Sequence, residues 1–135
     1  MTAPVCLTGL RILVVEDDML IAIQIEEVLQ GLGCVVVGPV GKLEAAMHLA
    51  EAEVIDAAIL DVNIRGGRVY PVAERLRTRG IPFALASGYG DWALPPEFRN
   101  QQRLTKPFMA QELEAQVLSL HLGQGVGAPA GTLPA

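Results

Sequence analysis

Five short apolar runs, each closed by a polar or turn residue, alternate along this chain with segments of helical periodicity. No other sequence feature restricts the fold as much. Arg11–Val15, Cys34–Val37, Ile55–Leu60, Ile81–Ala86 and Arg103–Thr105 are too short for helices and read as buried strands. Between them, residues 19–30 carry Ile21, Ile25, Val28 and Leu32 on one stripe, with Asp18 as N-cap and Gly31 and Gly33 closing the helix. Residues 42–51 turn Leu43, Ala46, Met47 and Ala50 inward, residues 70–79 form a third helix, and residues 110–122 bury Ala110, Leu113, Val117 and Leu120. A further helix is due between Ser87 and Lys106, but Pro95-Pro96 permits about one turn there. Strand and helix in strict alternation predict an α/β fold, an open parallel sheet covered on both faces.

Composition supports one such domain. Of 135 residues, 51% are hydrophobic and 19% charged, which excludes disorder for the body of the chain. No run approaches the ~18 apolar residues of a membrane-spanning helix. Ten Lys and Arg against fifteen Asp and Glu give a net charge of -5, so neither nucleic acid nor an anionic membrane is an expected partner. Residues 1–9 contain no basic residue, and a secretory leader is not expected. Cys6 and Cys34 lack metal-ligand spacing and read as free thiols in a reducing, cytoplasmic setting. The expected organisation is an N-terminal extension over 1–9, a domain over 10–122, and a Gly/Ala/Pro-rich, disordered tail over 123–135.

Folds of this kind bind ligands beyond the carboxyl ends of their strands, where the strand order reverses. The first strand here ends in Glu16-Asp17, the third in Asp61, the fourth in Ser87 and the fifth in Lys106. Singly, each reads as a cap, turn or surface residue. Jointly, they place three carboxylates at one crevice, where each pair repels by about 4 kcal/mol at ~4 Å in an effective dielectric of about 20. A bound cation removes that cost. An all-oxygen donor set without His or Cys suits a hard ion such as Mg²⁺. A metal, a lysine and a hydroxyl converging on a carboxylate are what phosphoryl transfer requires. Asp61, alone at its strand end, is the natural acceptor; Glu16 and Asp17 fit as metal ligands, and Lys106 and Ser87 as partners of phosphoryl oxygens.

On these residues the chain resembles a bacterial two-component response-regulator receiver domain: Glu16-Asp17, then Asp61, Ser87 and Lys106-Pro107, in the family's order and across residues 11–122. Pro82-Phe83-Ala84-Leu85-Ala86-Ser87-Gly88-Tyr89, and Asp61-Val62-Asn63-Ile64 followed by a Gly pair, resemble the PFxFATGY variety of alphaproteobacterial single-domain regulators. The resemblance implies a flavodoxin-like (βα)5 sheet of order 2-1-3-4-5. It also implies a stand-alone phosphorelay receiver, with Asp61 as phospho-acceptor and Mg²⁺ held by Glu16, Asp17, Asp61 and the Asn63 carbonyl. The donor would be a histidine kinase, and the output a conformational change read by a downstream or phosphotransfer protein. Such a chain is not an enzyme beyond its own phosphorylation and dephosphorylation. A homodimer stays open. Arg103 stands where many receivers carry a switching Tyr or Phe, which leaves Tyr89 as a candidate switch beside Ser87.

Two other classes compete. A haloacid-dehalogenase-like phosphatase uses similar groups, but it places an Asp-x-Asp motif on its first strand, and here the acidic pair comes first and Asp61-Val62-Asn63 lacks the second Asp. A degenerate receiver would serve only as a binding module. On the first helix, Leu20 and Ile23 fall opposite the buried stripe, beside Glu27. They either cover neighbouring loops or form a docking patch, and the resemblance implies docking of the kinase at this end of the helix. His48, His121, Trp92 and the Gly66-Gly67 turn are expected to carry no chemistry.

Overall fold

The computed structural model describes residues 7–88 and 94–123. Strands β1 (Arg11–Val15), β2 (Val35–Val40) and β3 (Ala57–Asp61) alternate with helices α1 (Met19–Gly31) and α2 (Leu43–Ala52). A two-stranded antiparallel hairpin, β4 (Asn63–Ile64) and β5 (Gly67–Arg68), precedes α3 (Tyr70–Thr78). β6 (Phe83–Gly88), a single 3-10 turn (Pro96–Phe98), β7 (Arg103–Lys106) and α4 (Ala110–Leu122) complete the order. The main sheet runs β2-β1-β3-β6-β7, all parallel. Counting its five strands alone, this is the expected order 2-1-3-4-5 of a flavodoxin-like sheet. The order reverses between β1 and β3, which puts the carboxyl ends of those two strands side by side.

Local chemistry sets the element ends. The Asp18 carboxylate accepts the N–H groups of Leu20 (3.0 Å) and Ile21 (3.3 Å), capping α1 as expected. Pro71 occupies the first turn of α3, where its missing N–H costs nothing. The Glu112 carboxylate accepts the Met109 N–H at 2.7 Å to start α4, and Gly123 ends it in the left-handed conformation (φ 71°).

Because side chains alternate across a strand, the sheet divides the core in two. Ile12, Val14, Ile59 and Ala86 meet α1 and α4 on one face, and Leu13, Val15, Leu60 and Leu85 meet α2 and α3 on the other. Three expectations need correction. The buried line on α1 is Ala22, Ile25 and Leu29, with Ile21, Val28 and Leu32 only half-buried at its flanks, because the small Ala22 lets the helix approach the sheet. Ala110 is exposed, since it lies in the first turn of α4 ahead of the sheet contact. β2 begins at Val35 and continues to Val40, whose carbonyl accepts the Glu16 N–H (2.8 Å). As expected, Gly66-Gly67 forms a turn; it closes the β4–β5 hairpin, with both glycines at positive φ. Leu7 also joins the core beneath α1 and α4, and its carbonyl accepts a contact from the buried, free Cys34 thiol at 3.6 Å. Burial raises the pKa of that thiol. Cys6 and the tail beyond Gly123 lie outside the described residues.

The abbreviated fourth helix is held by one ring. Phe98 is buried, stacks on Tyr70 at 5.2 Å between centroids, and meets Phe83 edge-on at 6.4 Å. The Arg77 guanidinium covers its outer face at 4.6 Å. Among the described residues the buried Tyr70 hydroxyl has no hydrogen-bond partner, so its contact with Phe98 rests on ring packing. Phe98→Ala should cost about 3–5 kcal/mol, read from the midpoint and slope of urea unfolding followed by circular dichroism.

Candidate functional site

Parallel pairing brings the strand ends into one row. Val15 pairs with Leu60, so Glu16 and Asp17 leave β1 beside Asp61, the last residue of β3. Asp61 is in register with Ala86, and Ser87, one residue on, is opposite Thr105, which precedes Lys106. Adjacent parallel strands lie about 4.8 Å apart, so long side chains at these ends reach one another. The Lys106 ammonium lies 2.7 Å from Glu16 Oε1 and 3.3 Å from Asp61 Oδ2. Glu16, Asp61 and Ser87 are the three buried polar residues of the described chain. Asp17, by contrast, is exposed.

The electrostatics follow from this packing. Burial first, and then the neighbouring Glu16 carboxylate, push the Asp61 carboxyl up from 3.8 while the Lys106 ammonium opposes both, leaving it at about 7. Burial draws the Lys106 pKa down, but its bonds to Glu16 and Asp61, together with their charge, outweigh this and leave it raised. With one ammonium against three carboxylates, the ionised site keeps two uncompensated negative charges.

One carboxylate oxygen from each of Glu16, Asp17 and Asp61 falls within 4.8 Å of the others. Opposite ligands of an octahedral Mg²⁺ are about 4.2 Å apart, so a small movement of exposed Asp17 closes the set around such an ion. Glu16 already has both oxygens engaged, Oε1 by Lys106 and Oε2 by the Asp18 N–H at 3.0 Å. Asp17 and the Asp61 oxygen that Lys106 does not hold are therefore placed for direct ligation, and Glu16 suits a water-mediated role. Asn63 opens β4 two residues past Asp61, a position from which its carbonyl can complete the shell.

Of the other residues singled out in the sequence, Leu20 and Ile23 are exposed on α1 at 79% and 44%, opposite its buried line. Arg103 is exposed at the start of β7, and His48 and His121 are exposed on their helices. Tyr89 and Trp92 lie outside the described residues. Sequence reasoning missed Gly41. A Cβ there would sit 2.9 Å from Asp17 Cα and 2.9 Å from Arg65 Nη2, so only glycine lets these two segments close on the acidic pair. Its signal was the Gly-Lys pair before the second helix, which reads locally as an ordinary turn.

A carboxyl whose pKa is raised on folding holds its proton more tightly in the folded state. Metal-free protein should therefore be steadied by Asp61 below about pH 4 and lose that contribution as pH rises through about 7. Asp61→Asn removes the titration. In chemical denaturation without divalent ions, it should exceed the parent chain's stability by about 1–2 kcal/mol at pH 8. Near pH 4 the difference should vanish.

The response regulator receiver domain family matches residues 12–118. No curated protein matches the chain. Among solved structures, SdrG from Sphingomonas melonis Fr1 is 43% identical, with a TM-score of 0.74, over 84% of this chain and 97% of that one. The BeF3-activated conformation of SdrG from Pseudomonas melonis Fr1 is 42% identical, with a TM-score of 0.70, over 82% and 95%. The receiver domain of sensor histidine kinase PA1611 from Pseudomonas aeruginosa PAO1, with a magnesium ion coordinated in its active-site cleft, is 25% identical, with a TM-score of 0.71, over 87% and 100%. With its sheet order and the groups gathered at its switch point, the chain belongs to the response regulator receiver domain family.

Proposed function

We propose that this receiver accepts a phosphoryl group on Asp61 from a histidine kinase, with Mg²⁺, and signals by a conformational change that another protein reads. The observation that carries the reading is Asp61 itself. It is a buried carboxyl ending the central strand, with Lys106 at 3.3 Å and two further carboxylates beside it. The magnesium ion of the PA1611 receiver and the BeF3-activated state of SdrG support the same chemistry here.

In the transfer step an Asp61 oxygen attacks phosphorus in line. The O–P bond forms as the kinase's P–N bond breaks, and the imidazole leaves with the electron pair. Asp17 and Asp61, with the Asn63 carbonyl and Glu16 behind them, would hold Mg²⁺. Bound there, the ion would neutralise charge on the transferring oxygens and keep Asp61 ionised. Lys106 rests closer to Glu16 than to Asp61 and can turn to a phosphoryl oxygen without leaving the site. The Ser87 hydroxyl donates to another, and this draws the end of β6 toward Asp61. The new charge-assisted bonds shift a pre-existing equilibrium.

Intact-mass measurement with acetyl phosphate tests the acceptor. The parent chain should gain one phosphoryl group only with Mg²⁺, and Asp61→Asn should gain none. Labelling of the Asn variant at the parent's rate overturns the assignment, and steady hydrolysis of an external phosphomonoester would favour a phosphatase instead. Exposed Leu20 and Ile23, beside Asp17 on α1, form the proposed kinase-docking patch. Ile23→Glu should slow transfer from a histidine kinase by about tenfold, the effect of ~1.4 kcal/mol, while leaving acetyl phosphate labelling unchanged. Equal rates with the kinase remove the patch from the interface.

A further inference from the structure

The acidic pocket has a second cation beside it that the transfer chemistry above does not use. Arg65 follows Asp61 by four residues, and its backbone is clamped on both sides of Lys42. The Arg65 N–H donates to the Gly41 carbonyl at 3.1 Å, and the Leu43 N–H donates to the Arg65 carbonyl at 2.8 Å. An isolated bridge with Lys42 completes the clamp. The side chain then turns back across Gly41. The point where a Gly41 Cβ would stand is 2.9 Å from Arg65 Nη2, 2.9 Å from Asp17 Cα and 3.1 Å from Asp17 Cβ. Arg65 Nη2 and Asp17 thus border the same space, which stays open because residue 41 has no side chain. Among the described residues Arg65 nevertheless makes no ion pair. Asp17 makes none among them either, so its carboxylate stays open to a cation.

We infer that Arg65 tunes the pocket's affinity for divalent cations, weakening resting Mg²⁺ binding by keeping a positive charge beside Asp17. This rests on the reading of Glu16, Asp17 and Asp61 as the metal-binding set. A cation one side chain away from a dication raises the free energy of the loaded site but not of the empty one, so the full effect appears in the dissociation constant. Lysine at 65 preserves the charge, and glutamine removes it with little change of length. Screening by salt attenuates the difference, since the guanidinium is exposed.

Isothermal titration calorimetry of the full chain with MgCl2 tests this. At low ionic strength Arg65→Gln should bind Mg²⁺ about three- to tenfold more tightly than the parent. Arg65→Lys should stay within about twofold, and the gain should shrink in about 1 M NaCl as the Debye length falls. Lys42→Gln, which removes a neighbouring exposed cation, controls for net charge. Unchanged affinity in Arg65→Gln, or equal tightening in Lys42→Gln, overturns the inference. The two readings fail separately. If Arg65→Gln tightens Mg²⁺ binding while the parent chain gains no phosphoryl mass, the phosphorylation reading falls and this one stands. Phosphorylation of the parent with no change in Mg²⁺ affinity gives the reverse.

Discussion

Three carboxylates at the carboxyl edge of a parallel sheet repel one another, and the shape of this molecule is arranged around that repulsion. The strands place Glu16, Asp17 and Asp61 together because the register leaves them nowhere else to go once β1 and β3 are paired. Lys106, arriving from β7 on the far side of β6, neutralises part of the charge and spans Glu16 and Asp61. Burial and, after it, the remaining charge of Glu16 hold the Asp61 carboxyl at about 7. A site with that residual charge is poised to gain a cation, and it is destabilised until it does.

The apolar core makes such a strained edge tolerable. β3, β6 and the inner part of β1 are buried on both faces, and small residues such as Ala46, Ala50, Ala57 and Ala84 let the helices press close to the sheet. The rigidity of that support keeps the acidic groups from relaxing apart. Even the abbreviated segment before β7 is pinned, through Phe98 and its stack on Tyr70.

Much of this was legible in the sequence for a simple reason. An apolar run that stops abruptly at an acidic residue marks both the end of a buried strand and a group exposed to the crevice, so Asp61 and Glu16-Asp17 announce themselves. Lys106 was legible because its run is short and a proline follows. What the sequence concealed depends on three-dimensional approach. Ala22 looks neutral in a hydrophobic pattern, yet it lies on the buried line of α1 because its small volume lets the helix near the sheet. Ala110 fits the helical period but precedes the point where α4 meets the sheet. Gly41 carries no left-handed signature; its need for a bare Cα comes wholly from Asp17 and Arg65 on other segments. The β4–β5 hairpin is too brief for any periodicity to register.

The groups of the site are separated by long stretches of chain, Glu16 from Asp61 and Asp61 from Lys106, and each pair is joined only through parallel strands. Such contacts form late, because long loops must close before any pairing rewards them. Removing β7 from the edge of the sheet would take Lys106 away and leave the carboxylates mutually repelling. Chemistry that needs Asp61, its acidic neighbours and Lys106 at once is therefore confined to chains whose whole sheet has assembled, so the site doubles as a check on the completeness of folding.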